Sequence, residues 1–339
     1  MRKSTGKYIK ELSQFLTDSR NITLICHTNP DGDAIGSVLA MHHYLSDRGK
    51  SCKIVSPSAL PDFLSWMDGA SEICIYEEDR EASLESLKWA DLILLQDFNS
   101  LSRLGSLQDE LKNIETNMIL LDHHPGPDVP ADLIISEPLF SSTSELVFDL
   151  VSHIEGRDYL ESKFIEAVYV GMMTDTGNFS FGSYDGDTMR IVGSMLESGL
   201  PKDFISDRVY DNFSADRMRL KGFALAERMM VIEELNTAYI YLTRSDLERF
   251  NHSVGDTEGF VNMPLSIRGI KMSVLFIEKN DHVKLSLRSK GEFSVNELAR
   301  KYFNGGGHKN AAGGRLDMTM ERSLEFFESV IQELKDSLK

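Results

Sequence analysis

From residue 8 to about 190 the chain alternates short apolar runs with helical patterns, and this alternation limits the possible folds more than any other feature. The apolar runs are typical of buried strands, and they cover 22–26, 52–56, 72–76, 91–96, 117–121 and 132–136. Helical or turn-like stretches separate them, for instance 60–67, 82–89 and 104–113. Strands that alternate with helices favour a parallel sheet covered on its faces. We therefore predict an α/β fold with a largely parallel N-terminal sheet flanked by helices.

The rest of the chain predicts a second, smaller α/β domain. Helical patterns over 142–154, 161–173 and about 200–232 are followed by strand-like alternation at 237–242. A chain of 339 residues is long enough for two domains, at roughly 150 residues each. The predicted division is a metal-binding domain at 1–199, a helical connector at 200–232 and a substrate-binding domain at 233–339, with the active site in the cleft between the domains.

Carboxylates and imidazoles collect where the predicted elements end. The set is His27, Asp31, Asp33, Asp97, Asp122, His123, His124 and Asp175. The first three lie between the run 22–26 and an amphipathic helix that Gly49 would end. Open α/β sheets bind their ligands at the carboxyl ends of their strands. These side chains therefore predict a polar site at one edge of the sheet.

Each of these residues also has a structural interpretation. A lone Asp at a strand end is usually a cap or turn residue, a lone histidine is usually hydrogen-bonded in the core, and Asp-His-His-Pro-Gly can be a simple turn. Four separate element ends that all supply metal-competent groups favour a site instead. Asp185 and Asp187 are expected to begin a helix, and His42 and His43 to lie beside the core, so these four are left out of the site.

The donor set predicts hard or borderline divalent metals, because it contains oxygen and imidazole ligands but no thiolate. On this ground Mn²⁺ is favoured over Zn²⁺, and Mg²⁺ competes. Four carboxylates and two imidazoles hold two ions if some carboxylates bridge. Two such ions roughly 3.5–4 Å apart stabilise the attacking and leaving oxygens in phosphoryl hydrolysis. Phosphoester hydrolysis is therefore the leading hypothesis, and a nucleotide-binding module without turnover is the alternative.

The charge distribution limits the partners. A net charge of −17 argues against binding of long duplex nucleic acid. Residues 284–315 instead carry a net positive charge, with seven Lys or Arg against two acids. Within that stretch Gly305-Gly306-Gly307 is either a flexible turn or a loop that approaches an anion closely. With Arg288 and Lys309 nearby, we favour a substrate-binding surface for phosphate.

The sequence also predicts a cytoplasmic protein. Its apolar runs are far shorter than the roughly 20 residues that a spanning helix needs, and no secretory core follows the basic N-terminus. Cys26, Cys52 and Cys74 lie in apolar segments and are expected to be buried thiols. No membrane contact is expected.

The blocks in this order resemble the DHH phosphoesterase superfamily. His-Thr-Asn-Pro-Asp-Gly-Asp-Ala-Ile-Gly-Ser at 27–37, Asp97 after its strand, Asp122-His123-His124 and Asp175 before Thr-Gly-Asn-Phe match the family's signature blocks. The run Gly-Gly-Gly-His with Ala-Ala-Gly-Gly at 305–314 is similar to the DHH-associated C-terminal domain.

The resemblance implies roles for individual residues. One metal would take His27, Asp31, Asp97 and Asp175, and the other would take Asp33, Asp97, His123 and Asp175. Asp122 would orient a neighbouring ligand, and His124 would contact phosphate or assist proton transfer. Arg288 and His308, with Gly305, Gly306 and Gly307, would bind substrate. The implied cofactors are two Mn²⁺ ions, with Mg²⁺ or Co²⁺ as alternatives.

The resemblance also implies a substrate class. The glycine-rich C-terminal domain is similar to that of bacterial oligoribonucleases (nanoRNases) that remove the 3′-phosphate of phosphoadenosine phosphate. The expected partners are therefore short RNA oligonucleotides or small nucleotides, with a homodimer as an option. Cyclic- or linear-dinucleotide phosphodiesterases are the alternative, and pyrophosphatases or exopolyphosphatases fit less well. Phe179, Phe181 or Tyr184 would stack a base or serve the core.

Overall fold

The computed structural model describes residues 5–180 and 182–335, and the chain divides into two compact units, Met1–Asn212 and Phe213–Lys339. This division lies inside the predicted connector 200–232. The boundaries of the three predicted segments, and the cleft expected between the domains, stay predictions.

The first unit contains six strands, which are β1 (Asn21–Ile25), β2 (Ser51–Ser56), β3 (Cys74–Ile75), β4 (Leu92–Gln96), β5 (Asn117–Asp122) and β6 (Leu133–Ser136). Its helices are α1 (Ile9–Asp18), α2 (Gly32–Asp47), α3 (Arg80–Trp89), α4 (Leu107–Leu111), α5 (Thr143–Glu155), α6 (Ser162–Asp175), α7 (Gly186–Glu197) and α8 (Lys202–Tyr210). Short 3₁₀ turns lie at Gly6–Tyr8, Asp62–Leu64, Ala70–Glu72 and Leu101–Leu104.

The six strands form one parallel sheet in the order β3-β2-β1-β4-β5-β6. The chain runs outward from β1 to β3 and then returns to β4 on the other side of β1. β1 and β4 are therefore adjacent strands whose following connections leave in opposite directions. This is a topological switch point, where a crevice opens at the carboxyl ends of the strands.

Helices cover both faces of the sheet. Successive residues of β1 point to opposite faces of the sheet. Leu24 packs under α2, α5 and α6, and Ile25 packs under α3 and α4. α2 and α6 approach closely because Gly36 has no side chain, and a Cβ there would lie 2.6 Å from the carbonyl oxygen of Ala167. The predicted α/β class and the six predicted strand positions are confirmed.

The stretches between the strands were expected to be helical or turn-like, and two of them are mainly turns. The stretch 60–67 contains only the 3₁₀ turn Asp62–Leu64, because Pro61 precedes it in an extended conformation and Gly69 adopts a left-handed one (φ 86°) soon after. The stretch 104–113 is divided by Gly105 (φ 56°) into the turn Leu101–Leu104 and α4. The strand predicted over 72–76 pairs at two residues only.

The second unit contains a mixed sheet. Its strands are β7 (Met229–Ile232), β8 (Thr237–Leu242), β9 (Met272–Glu278), β10 (Val283–Ser289), β11 (Gly306–His308) and β12 (Ala311–Leu316), in the order β11-β12-β10-β9-β8-β7. Its helices are α9 (Ala215–Glu227), α10 (Arg244–Arg249), α11 (Val295–Tyr302) and α12 (Met320–Glu333), with 3₁₀ turns at Glu233–Leu235 and Phe260–Ser266. The smaller C-terminal α/β domain is confirmed.

The end of the predicted helical connector is a strand instead. Met229–Ile232 pairs with β8 in antiparallel register, with Met229 opposite Ile240 and Ile232 opposite Thr237. Pairing with the neighbouring strand therefore overrides the helical pattern in these four residues.

Two further sequence expectations concern location and thiols. Within residues 5–180 and 182–335, every helix is too short or too polar to cross a membrane. The cytoplasmic location stays a prediction. All three cysteines are free; Cys26 is fully buried, whereas Cys52 and Cys74 are only partly buried.

Candidate active site

The connection after β1 brings His27 and Asp31 together. Asp31 caps the N-terminus of α2, where its Oδ1 accepts hydrogen bonds from the N–H groups of Asp33 (3.0 Å) and Ala34 (3.1 Å). Its Oδ2 lies 3.9 Å from Nε2 of His27. The other ring nitrogen of His27 lies 2.8 Å from the carbonyl oxygen of Thr28. Because a carbonyl only accepts, Nδ1 carries the proton and the lone pair of Nε2 faces the carboxylates.

Asp97 lies between His27 and His123. It follows β4 in a left-handed conformation (φ 67°), which is unusual for a residue with a side chain. Its Oδ2 is 3.5 Å from Nε2 of His27, and its Oδ1 is 3.8 Å from Nε2 of His123. One carboxylate thus presents an oxygen to each imidazole, which is the arrangement that a bridging ligand requires.

His123 collects a second set of carboxylates. Its Nε2 lies 3.8 Å from Oδ2 of Asp33 and 3.6 Å from Oδ2 of Asp175. Its Nδ1 lies 3.3 Å from the carbonyl oxygen of Phe140, so this ring also directs the lone pair of Nε2 toward carboxylates. Asp175 is the last residue of α6 and remains partly exposed.

The N-terminus of α5 holds two of these carboxylates in place. The N–H groups of Thr143 (2.6 Å) and Ser144 (2.9 Å) donate to Asp33, and the hydroxyl of Thr143 donates to Oδ1 of Asp97 (2.8 Å). Gly171 leaves room for this contact, because a Cβ there would lie 2.7 Å from Oδ1 of Asp33. A helix N-terminus favours negative charge, so α5 lowers the cost of burying this pair.

Asp122 and His124 form a separate pair beside the ligands. Nδ1 of His124 lies 2.7 Å from Oδ1 of Asp122, which is fully buried, and 3.8 Å from Oδ1 of Asp97. Asp122 therefore fixes the ring of His124 and leaves its Nε2 directed away from this carboxylate. The predicted catalytic roles of both residues stay predictions.

The ionisation of the site reflects burial and crowding of like charge. Burial, with the fields of Asp33 and Asp31, raises the pKa of Asp97 well above its usual value. Burial raises the pKa of Asp33 as well. Burial lowers the pKa of His27 to about 4, assisted by Arg103, and burial and His123 hold the pKa of His124 well below its usual value.

The donors fit two divalent ions. Ligand atoms of His27, Asp31 and Asp97 lie within 4.8 Å of one another, and so do those of Asp33, His123 and Asp175. Both sets consist of imidazole nitrogens and carboxylate oxygens, which suit Mn²⁺, Mg²⁺ or Zn²⁺. The crowding that raises the pKa of Asp97 is the condition that bound cations would relieve. The structure thus brings together all six residues predicted as ligands; the assignment of each to a particular ion stays a prediction.

A left-handed turn follows Asp175. Gly177, Asn178 and Phe179 all have positive φ (54°, 55° and 58°), and the N–H of Phe179 donates to the hydroxyl of Thr176 (3.0 Å). The ring of Phe179 contacts Tyr169 and Tyr184, at 6.1 and 6.2 Å between centroids. Phe181 lies outside the described residues. Base stacking by Phe179 or Tyr184 stays a prediction.

In the second unit, Arg288 and His308 lie in one row across the sheet. Arg288 on β10 is opposite Ala311 on β12, and Ala311 is opposite His308 on β11. The adjacent row, which includes Leu287 and Ala312, packs in the core, so the row of Arg288 faces the other way. The small side chain of Ala311 leaves space between the two larger ones.

Two of the three glycines at 305–307 are required by strand packing. A Cβ at Gly305 would lie 1.9 Å from the carbonyl oxygen of Gly313, and one at Gly307 (φ 146°) would lie 2.5 Å from that of Ala311. The N–H of Gly305 donates to Ala299, and that of Gly307 donates to Asn296. These two N–H groups already have acceptors, and the substrate-binding roles of Gly305, Gly306 and Gly307 stay predictions.

Acidic neighbours reduce the basic surface expected at 284–315. Lys309 pairs with Glu292 (2.7 Å). Arg315 pairs with Asp281 (3.1 Å) and Asp317 (2.7 Å), which lie just outside the counted stretch. Arg288 donates to the carbonyl of Leu287 (3.0 Å). The local positive charge is therefore smaller than the sequence count predicts.

Sequence reasoning missed Arg103. It lies in the 3₁₀ turn after β4, and the N–H of Thr28 donates to its carbonyl oxygen (2.8 Å), which ties this turn to the His27 loop. Its side chain is exposed. The signal that could have found it is its position six residues after Asp97, as the one basic residue in that connection.

Comparison with known protein families gives matches over both units. A model of the DHH family, N-terminal domain, matches residues 21–172, and a model of the DHHA1 domain matches residues 236–339. Together they cover the sheet that carries the metal-competent clusters and the sheet that carries Arg288 and His308.

Individual relatives span almost the whole chain. The bifunctional oligoribonuclease and PAP phosphatase NrnA of Bacillus subtilis is 26% identical over 309 residues, which are 90% of this chain and 92% of that one. The crystal structure of an exopolyphosphatase-related protein from Bacteroides fragilis is 37% identical, with a TM-score of 0.93 over 100% of this chain and 99% of that one. The exonuclease RecJ, in a crystal structure with manganese, shares the fold at 16% identity, with a TM-score of 0.56 over 98% and 94%.

Proposed function

Because this chain belongs to the DHH family and is a metal-dependent phosphoesterase, we propose that it hydrolyses short oligoribonucleotides and the 3′-phosphate of phosphoadenosine phosphate. The relative of similar length described as an oligoribonuclease and PAP phosphatase supports this substrate class. The observation that carries the proposal is the carboxylate of Asp97, which presents one oxygen to His27 and the other to His123.

The proposed cofactors are two Mn²⁺ ions. His27, Asp31 and Asp97 would hold one ion, and Asp33, His123 and Asp175 would hold the other, with Asp97 and Asp175 as bridges. Two divalent ions supply Lewis acidity toward a phosphate group and the water that attacks it. A related fold with manganese in its crystal structure supports the choice of metal.

The protein's own groups prepare this site. The carbonyl oxygens of Thr28 and Phe140 fix the tautomers of His27 and His123, so both rings present Nε2 as a ligand. Asp122 holds Nδ1 of His124. Since its pKa lies well below its usual value, His124 is neutral at neutral pH with its proton on Nδ1, so its Nε2 carries the lone pair that can accept a proton. Once protonated there, it would donate to a phosphate oxygen. Arg288 and His308 would bind phosphate of the substrate.

A second candidate is hydrolysis of polyphosphate or pyrophosphate. The relative with 37% identity over the whole chain is described as exopolyphosphatase-related. The chemistry at the metals would be the same, because a phosphoanhydride and a phosphoester both present a phosphate to the two ions. Cyclic- and linear-dinucleotide phosphodiesterase activities are a third option that the same assay would test.

The test is a substrate panel with purified protein and Mn²⁺. It would contain di- to pentaribonucleotides, phosphoadenosine phosphate, cyclic dinucleotides, pyrophosphate and polyphosphate. We expect the highest kcat/KM for the short ribonucleotides and phosphoadenosine phosphate. A preference for polyphosphate or a cyclic dinucleotide would transfer the assignment to that substrate.

Asp97→Ala tests the bridging role directly. We expect activity to fall by more than the roughly 10- to 100-fold that loss of an outer-shell partner costs, because one truncation would remove a ligand from both ions. Asp109→Ala is the matched control, since Asp109 is exposed and its carboxylate pairs with the neighbouring Lys112 on the surface. Circular dichroism would verify that both variants fold. Full activity of folded Asp97→Ala would contradict the proposal.

A further inference from the structure

The loops at the carboxyl edge of the first sheet contain a single basic residue. These connections span 26–31, 97–104, 122–132, 137–142 and 175–185, and Arg103 is the one Lys or Arg among them. The same loops carry the carboxylates of both clusters. An anion that reaches this edge therefore meets acidic groups, the metals that they would hold and Arg103.

The backbone fixes Arg103 beside the first metal cluster. Leu104 is fully buried and anchors the 3₁₀ turn in the core. The N–H of Thr28 donates to the carbonyl of Arg103 (2.8 Å), while the carbonyl of Thr28 accepts from the ring of His27 (2.8 Å). Arg103 and His27 are thus bonded to opposite sides of one residue.

The side chain of Arg103 is exposed and its donors are unused. In the described part of the chain its guanidinium makes no hydrogen bond or ion pair. Because the backbone of Arg103 is bonded to Thr28, the residue after His27, this side chain begins beside the first cluster.

We propose that Arg103 is a specificity-determining residue that binds a second, non-scissile phosphate of the substrate. This inference rests on the proposed function, since it assumes a nucleotide with more than one phosphate group. The two metals would compensate the charge of the scissile phosphate. A second phosphate beside the partly exposed carboxylate of Asp31 needs a cation of its own, and a guanidinium presents paired donors to phosphate oxygens.

The test compares two dinucleotides that differ by one phosphate. Wild-type protein, Arg103→Ala and Arg103→Lys would be assayed with the 5′-phosphorylated diadenylate pApA and with ApA, which lacks that phosphate. For Arg103→Ala we expect kcat/KM for pApA to fall about 10- to 100-fold, mainly through KM, which is the effect of losing a hydrogen bond to a charged group. For ApA we expect a change below about threefold. Arg103→Lys should lie between, because it keeps the charge but loses the paired donors.

Arg20→Ala is the matched control. Arg20 is also an exposed arginine of the first unit, but it precedes β1 and so lies at the amino edge of the sheet. Arg20→Ala should leave kcat/KM for both substrates unchanged.

Binding of pApA and ApA would also be measured in the Asp97→Ala background, where turnover is absent. If wild-type protein cleaves neither these dinucleotides nor the longer oligoribonucleotides and phosphoadenosine phosphate of the substrate panel, the proposed function is wrong, and the binding comparison still decides the role of Arg103. Equal losses for both dinucleotides, or no loss for pApA, would overturn the inference.

Discussion

Gly32 lies between Asp31 and Asp33 at the start of α2, and packing requires that it have no side chain. A Cβ at this position would lie 2.3 Å from Oγ1 and 2.7 Å from Cβ of Thr174 on α6. The hydroxyl of Thr174 already donates to the carbonyl of Val170 (2.8 Å), so this side chain cannot rotate away without losing a bond. The start of α2 is thus held against α6, with Asp31 and Asp33 on either side of the contact.

We expect Gly32→Ala to lower the free energy of unfolding by about 1–3 kcal/mol, as overpacking of a core does. It should also weaken Mn²⁺ binding, because α2 must move away from α6 and carries the two carboxylates with it. Urea unfolding and Mn²⁺ titration would measure the two effects. Gly193→Ala is the control, since it lies inside α7 and, apart from its chain neighbours and its own helix backbone, no described atom lies within 4 Å of a Cβ there. It should leave binding unchanged and stabilise slightly. Equal stability of the two variants would contradict the packing argument.

For single residues, the sequence predicts the candidate metal ligands better than it predicts the residues that hold those ligands in place. His27, Asp97 and His123 stand next to strands in the chain, so their convergence follows from strand order. The hydroxyl of Thr143 and the backbone of Arg103 come to the site only through tertiary packing. Thr143 has the local sequence of an ordinary cap residue, and the local signal for Arg103 is only that it is the one basic residue in the connection after β4.

Among the elements, the N-terminus of α5 does the most to hold the site. Its N–H groups bind Asp33 and its first hydroxyl binds Asp97, so one helix end fixes a carboxylate from each metal set. Ser142 caps the same helix through a hydrogen bond to the N–H of Glu145 (3.0 Å). Because Ser142 accepts from the N–H of Glu145, the N–H groups of Thr143 and Ser144 in the same turn can donate to the carboxylate of Asp33.

Thr143→Val tests this support. Valine keeps the shape of threonine but removes the hydroxyl that donates to Asp97, while the backbone bond to Asp33 remains. We expect Mn²⁺ affinity to fall about tenfold, within the range found when the partner of a metal ligand is removed. Calorimetric titration would measure it.

Thr17→Val is the control for Thr143→Val, because Thr17 is exposed on α1 and its hydroxyl donates to the carbonyl of Ser13 within the same helix. Unchanged affinity in Thr143→Val would show that the backbone bonds alone orient the carboxylates.

The elements themselves differ in how well the sequence predicts them. β1, β4 and β5 are buried on both faces, so continuous apolar runs identify them without knowledge of the fold. β7 lies at the edge of the second sheet, where its burial is partial and its helical pattern is misleading. Pairing with β8 decides its conformation, and that pairing is a long-range property.

At the scale of the whole molecule, each unit has a hydrophobic core of its own. The cores under the first sheet contain residues up to Val209, and those of the second sheet begin at Leu220. Both tryptophans, Trp66 and Trp89, belong to the first unit. Tryptophan fluorescence therefore reports unfolding of the metal-binding unit alone, whereas calorimetry detects both units.

We expect Mn²⁺ to raise the midpoint of the fluorescence transition and to leave the second calorimetric transition in place. An ion at 100 times its Kd adds about 2.7 kcal/mol to the unit that binds it, and a chelator should reverse the shift. Asp246→Asn is the complementary variant, because Asp246 accepts two hydrogen bonds from Arg228 (both 2.9 Å) within the second unit. Asp246→Asn should lower the midpoint temperature of the second unit's calorimetric transition and leave that of the first unit unchanged. A Mn²⁺ shift of both transitions by the same amount would show that the units unfold together and that the metals stabilise the chain as a whole.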